Sequence, residues 1–141
     1  ALFVDGAYLL QHSNDRLARH ERIAKNCDLL KGQVATDLNI PVTCTWQFNR
    51  EGARSKQKRG SAGPGLEDIA GSDTIGTHSS LVCALLEEDE DPSTLVRREV
   101  HIKKGRQGEA GKFEILWDWE NMDFSEFKEG ELENFYGVAG R

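Results

Sequence analysis

No apolar run in this sequence approaches the roughly 18–20 residues that a bilayer-spanning helix needs. A secretory leader is missing too, because Ala1-Leu2-Phe3-Val4 meets an acid, Asp5, at once. No Cys-x-x-Cys pair occurs, and Cys27, Cys44 and Cys83 are scattered through apolar patterns, which reads as reduced core thiols in a cytosolic protein. The four histidines, His12, His20, His78 and His101, add no zinc spacing to them. Hydrophobic residues make up 38% of the chain, below the roughly 45–50% of an average globular domain. A core is possible, but much of the surface is left for loops or contacts. The net charge of −6 argues against a molecule coated in positive charge for nucleic acid.

What is present is unevenly distributed. Between Arg50 and Gly65 stand five basic residues, Arg50, Arg54, Lys56, Lys58 and Arg59, against the single acid Glu51. The run Glu87-Glu88-Asp89-Glu90-Asp91 is purely acidic, and the chain beyond Asp118 is mostly so. An acidic protein with one basic segment can still grip a phosphate backbone locally. At 141 residues the chain has the size of one domain. It begins without methionine inside a strand-like segment, so it is expected to be a piece of something longer.

Ala1–Val4 is a short apolar run ending at Asp5-Gly6, as a buried parallel strand would. Ser13 or Asn14 is expected to cap a following helix, on which Leu17, Ile23, Cys27, Leu30, Val34 and Leu38 recur at helical spacing. Pro41 restarts an extended segment, Val42 to Phe48, rich in β-branched and aromatic residues. Strand, helix of about two dozen residues and strand form a βαβ unit, whose handedness makes the two strands parallel. The fold class is therefore α/β. Residues 50–65 have no period and read as a long loop. Leu66 to about Ser79 reads as a weaker helix and Leu81–Leu86 as another buried strand. Arg97–Lys104 and Lys112–Trp119 flank a glycine-rich stretch and alternate, with Val100 and Ile102 facing Phe113, Ile115 and Trp117. They are expected to form a β-hairpin. The tail, with Met122, Phe124, Phe127 and Phe135 among acids, is assigned no structure.

Three segments could carry chemistry. Asp5 stands at the carboxyl end of a strand, where α/β sheets place ligands, and P-loop ATPases use an acid there beside Mg²⁺. Equally, Asp-Gly can simply turn the chain. Gln47, at the end of the next strand, has an amide able to reach a γ-phosphate or its attacking water; the plain alternative is a polar strand end. Lys104-Gly105-Arg106-Gln107-Gly108 would put an arginine on a hairpin tip, either as a finger toward a neighbouring subunit or as a solvated basic turn.

Taken in order, these pieces resemble the ATPase domain of DnaB-type hexameric replicative helicases, phage versions included. The matching stretches are Leu2-Phe3-Val4-Asp5-Gly6, Leu38-Asn39-Ile40-Pro41-Val42, Gln47-Phe48-Asn49-Arg50, Leu66-Glu67-Asp68-Ile69-Ala70-Gly71-Ser72 and Lys104-Gly105-Arg106-Gln107-Gly108. The resemblance implies the C-terminal part of a RecA-like P-loop NTPase core over residues 1–119, followed by an acidic tail, 120–141. It implies that Asp5 is the Walker B acid acting on Mg²⁺ through water, and that Gln47 senses the γ-phosphate. Arg106 is then a finger, with Lys104 beside it, reaching ATP on the adjacent subunit. The segment with Arg50, Arg54, Lys56, Lys58 and Arg59 corresponds to a channel loop on single-stranded DNA. Lacking aromatics, that segment suits phosphate contact rather than base stacking. The implied setting is an ATP- and Mg²⁺-dependent homohexameric helicase in the cytoplasm, or the host cytoplasm if phage-encoded, without a membrane.

The sequence departs from the family pattern in three places. No Gly-x-x-x-x-Gly-Lys-Ser/Thr loop occurs, the family's catalytic glutamate belongs upstream of Ala1, and Gly6-Ala7 replace bulkier residues of bacterial members. Alone, the polypeptide is not expected to hydrolyse ATP at a meaningful rate. The missing strand would leave a gap in the sheet, so either an N-terminal half or self-association is expected. A RecA-like recombinase and a non-catalytic RecA-like regulatory module remain the alternatives.

Overall fold

The structure, a computed structural model, describes residues 1–49, 64–70, 73–86 and 97–126. The chain forms two compact units, Ala1–Ser80 and Leu81–Arg141.

The first unit opens with β1 (Leu2–Val4), which pairs in parallel with β2 (Val42–Cys44) in the register Leu2↔Val42, Phe3↔Thr43, Val4↔Cys44. The crossover between them is helical, as the βαβ pattern requires. Its helix α1 (Arg19–Leu29) starts later than Ser13 or Asn14. Asn14 instead turns the chain locally, its Oδ1 accepting the Arg16 N–H at 3.1 Å, a bond that competes with helix capping. The helix begins at Ala18, whose N–H donates to the Glu21 carboxylate at 2.8 Å. Ile23, Asn26 and Cys27 form its buried stripe. Asn26 donates to the Leu10 carbonyl at 3.1 Å and so ties down the chain that leads out of β1.

From Leu30 to Asp37 the helix widens into π geometry. The Thr36 hydroxyl donates to the Lys31 carbonyl at 2.9 Å and Leu38 N–H to Gln33 O at 3.1 Å, both spanning five residues. This wider turn breaks the period that placed Leu38 on the inner face, and Leu38 is 64% exposed. Asn39 ends the helix in a left-handed conformation (φ 52°), before Pro41.

β2 is shorter than the expected Val42–Phe48. Past Cys44 the chain leaves β1 and makes an isolated antiparallel bridge between Phe48 and Ile69. This bridge also cuts the expected 66–79 helix in two. Leu66–Asp68 is a single 3-10 turn, and α2 (Asp73–His78) is a separate short helix. His78 Nε2 meets the Asp28 carboxylate at 2.7 Å, joining α2 to α1.

The second unit is a three-stranded antiparallel sheet in the order β3 (Val82–Leu86), β4 (Arg97–Lys104), β5 (Gly111–Leu116). The hairpin expected from the alternating pattern is present, with β5 ending at Leu116 rather than Trp119. β3 is not buried on both faces, since Leu85 is 47% exposed and Cys83 is exposed, which also removes Cys83 from the core thiols. Ala84 and Leu116 are buried, and so are Glu99 and His101, on the β4 face opposite Val100 and Ile102. After β5 the chain turns, with Asp118 and Asp123 bridging and Trp117, Trp119 and Phe124 packing edge to face at 5.1–5.4 Å. Arg98 lies over the Trp117 ring at 5.1 Å.

Candidate functional site

The pairing of β1 with β2 brings the residues after each strand to one end of the sheet. Asp5 follows β1, and Thr45, next in register, follows β2. The Thr45 hydroxyl donates to Asp5 Oδ1 at 2.6 Å and accepts the Gly6 N–H at 2.7 Å. Backbone bonds complete the join: Thr45 N–H donates to Val4 O at 3.0 Å and Ala7 N–H to Thr45 O at 3.1 Å. Gly6 turns the chain away at φ 65°, a left-handed conformation that glycine adopts without strain. Asp5 and Thr45 are both exposed.

Gln47 lies two residues beyond Thr45. Its carbonyl accepts the Ala70 N–H at 2.9 Å, and Asn49 N–H donates to Asp68 O at 2.8 Å, so the backbone is held on both sides of Phe48. The Gln47 side chain is exposed. Asp68 is buried and accepts the Gly65 N–H at 2.8 Å, anchoring the far end of the basic segment. Arg50, Arg54, Lys56, Lys58 and Arg59 lie outside the described residues, as does the acidic run 87–91.

Lys104 and Arg106 belong to the second unit. Lys104 is the last residue of β4 and half-buried, while Arg106 is exposed in the turn that joins β4 to β5. The turn closes through Gly108 N–H to Gly105 O at 3.3 Å, with Gly108 at φ 86°. Glu109 shares this tip. Its carboxylate accepts the Gln107 N–H at 2.9 Å, and backbone N–H groups hold its carboxyl below the usual range. The tip therefore carries an acid beside its arginine, which sequence reasoning passed over.

Behind the tip, Glu99 accepts from His101 Nε2 at 2.8 Å and from Lys112 Nζ. Burial pushes the Glu99 carboxyl up, but hydrogen bonds from Lys112 and His101, with their charges, override it and hold the group below its ordinary value. Lys103 Nζ approaches His101 Nδ1 at 3.4 Å. Because an ammonium only donates, His101 is the tautomer that carries its proton on Nε2.

Thr45 is the residue that sequence reasoning missed. The available signal was a hydroxyl placed one residue past a strand, opposite an aspartate one residue past its parallel neighbour. No group of three His, Cys, Asp or Glu able to hold a metal exists among the described residues. One exposed carboxylate with a hydroxyl beside it fits Mg²⁺ of the kind that keeps most of its waters and binds substrate phosphates, rather than a cation caged by protein. No helix among the described residues is long and apolar enough to cross a membrane.

A parallel βαβ unit with an acid and an amide at the ends of adjacent strands, and a separate antiparallel sheet, define an α/β domain of the RecA-like ATPase class. The family model for the DnaB-like helicase C terminal domain matches residues 1–126, and the chain belongs to that family. Among solved structures it is similar to an isolated ATPase domain, with a TM-score of 0.74 at 23% identity, covering 89% of this chain and 44% of that one. It is likewise similar to a DnaB-like replicative helicase described with its interactions with primase, with a TM-score of 0.74 at 22% identity, covering 89% and 30%. At these identities the likeness speaks for the fold, and the chain spans less than half the length of either protein. No curated protein matches it.

Proposed function

We propose that this chain is part of an ATP-driven DNA helicase motor. Asp5 engages a hydrated Mg²⁺, Gln47 reads the γ-phosphate, and Arg106, with Lys104, reaches nucleotide bound on a neighbouring copy. The observation that carries this reading is the placement of Asp5 and Gln47 past the ends of paired parallel strands, in a chain of the DnaB-like family. Mg²⁺ supplies charge neutralisation on the phosphates when bound. The chain's own part is to orient: the carboxylate of Asp5 is tethered at one oxygen, and the backbone around Gln47 is clamped at Gln47 and Asn49. An arginine on a turn between two strands can serve a copy other than its own, which suits a ring of identical subunits. The basic segment would track single-stranded DNA through its phosphates, and the setting is cytoplasmic, a host cytoplasm if the gene is viral.

The test is Arg106→Ala in the protein as its gene encodes it. ATP turnover is expected to fall by roughly 10³-fold or more, while nucleotide binding stays near its original strength. Normal turnover in that variant would remove the finger role.

A further inference from the structure

The Asp5–Thr45 bond has no explanation in burial. Both residues are exposed, so water could satisfy the carboxylate and the hydroxyl without any partner. Even so, the hydroxyl's single proton is committed to Asp5 Oδ1 at 2.6 Å, and one of its lone pairs takes the Gly6 N–H at 2.7 Å. The Gly6 N–H fixes which way the hydroxyl points, because the oxygen accepting it must turn its own hydrogen elsewhere. That hydrogen meets Asp5. Thr45 is itself held by two backbone bonds, to Val4 and to Ala7, so its position follows the β1–β2 pairing rather than a free rotor. The carboxylate is thereby held at one oxygen, leaving Oδ2 for the water shell of a cation.

We propose that Thr45 is a positioning residue, whose hydroxyl sets the orientation of the Asp5 carboxylate and so its hold on hydrated Mg²⁺ beside a nucleotide. This rests on the reading of Asp5 given under the proposed function. It adds a residue on the second strand that acts through Asp5 and touches neither metal nor phosphate. Holding a carboxylate in one orientation spares it the entropy of finding that orientation when the cation arrives. The Thr45→Val change keeps the branched shape and removes only the donor, whereas Thr45→Ser keeps the donor.

The experiment uses the protein as its gene encodes it, with a fluorescent ADP analogue as probe, titrated with Mg²⁺ and separately in EDTA. Thr45→Val is expected to raise the Mg²⁺ midpoint by roughly 5–30-fold, the worth of one hydrogen bond to a charged group. Affinity in EDTA should not change, and Thr45→Ser should restore the midpoint. Asp5→Asn is run alongside as the reference. If Asp5→Asn moves the midpoint and Thr45→Val does not, the positioning role is overturned while the Asp5 reading stands. Equal weakening of Thr45→Val with and without Mg²⁺ overturns it too, since a general packing defect would act that way. If Asp5→Asn leaves Mg²⁺-dependent binding intact, or the unaltered protein shows none, the Asp5 reading fails and takes this proposal with it.

Discussion

Replacing Glu99 by glutamine tests whether the charge cluster in the hairpin stabilises the strands that carry the Lys104–Arg106 tip. Glu99 is 8% exposed and takes hydrogen bonds from both His101 and Lys112. Charge-assisted bonds of this kind contribute about 1.5–3 kcal/mol each. The amide oxygen of glutamine can still accept one of the two. Lys112 is 55% exposed in its side chain and returns to water at little cost, but His101 is 7% exposed and does not. Relief of the carboxylate's desolvation offsets part of the loss. The net cost near neutral pH should be about 1–2 kcal/mol. Its pH dependence has a definite sign. A carboxyl whose folded value lies below its ordinary 4.5 stabilises the fold fully above that value, and this contribution is lost as pH falls through the folded value. The deficit of Glu99→Gln should therefore fade on acidification. Urea unfolding, followed through the amide resonances of β4 and β5 near neutrality and at about pH 3, reads this directly. A deficit of the same size at both pH values would refute the assignment.

Two further outcomes are expected. Changing Lys56, Lys58 and Arg59 to glutamine should weaken single-stranded DNA binding and reduce its log–log salt slope by about 2, measured by fluorescence anisotropy across a salt series; an unchanged slope would reject the loop assignment. The Cys27 thiol is pushed up to about 11, chiefly by burial and then by its neighbours Cys44 and Asp28. Iodoacetamide should therefore label the exposed Cys83 well before Cys27, as followed by peptide mass spectrometry, and equal labelling would show that the α1 stripe is not closed.

The βαβ unit was legible because two apolar runs separated by a helical pattern admit few arrangements, and the Asp5 end of β1 falls next to the end of β2 as a result. The hairpin and its glycine tip were legible for a similar reason, from alternation interrupted by glycine. Losses came where a tertiary bond outweighed local preference. Asn14 closed its own turn instead of capping α1, and the Phe48–Ile69 bridge took Ile69 out of a helix. Alternation in β4 pointed to Val100 and Ile102, yet Glu99 and His101 are the more buried pair, because their partner Lys112 stands on the opposing strand. Thr45 was invisible for the same reason: its role exists only through a residue forty positions away.

That separation has a kinetic side. Two three-residue strands offer little reward for closing so long a stretch of chain, and an open coil would meet the closure cost unaided. A helical crossover shortens the path, since each helical residue advances only about 1.5 Å against about 3.3 Å when extended. Refolding should then run from α1 outward, with the meeting of the β1 and β2 ends among its final events, so the metal-side corner assembles after the scaffold that spans it.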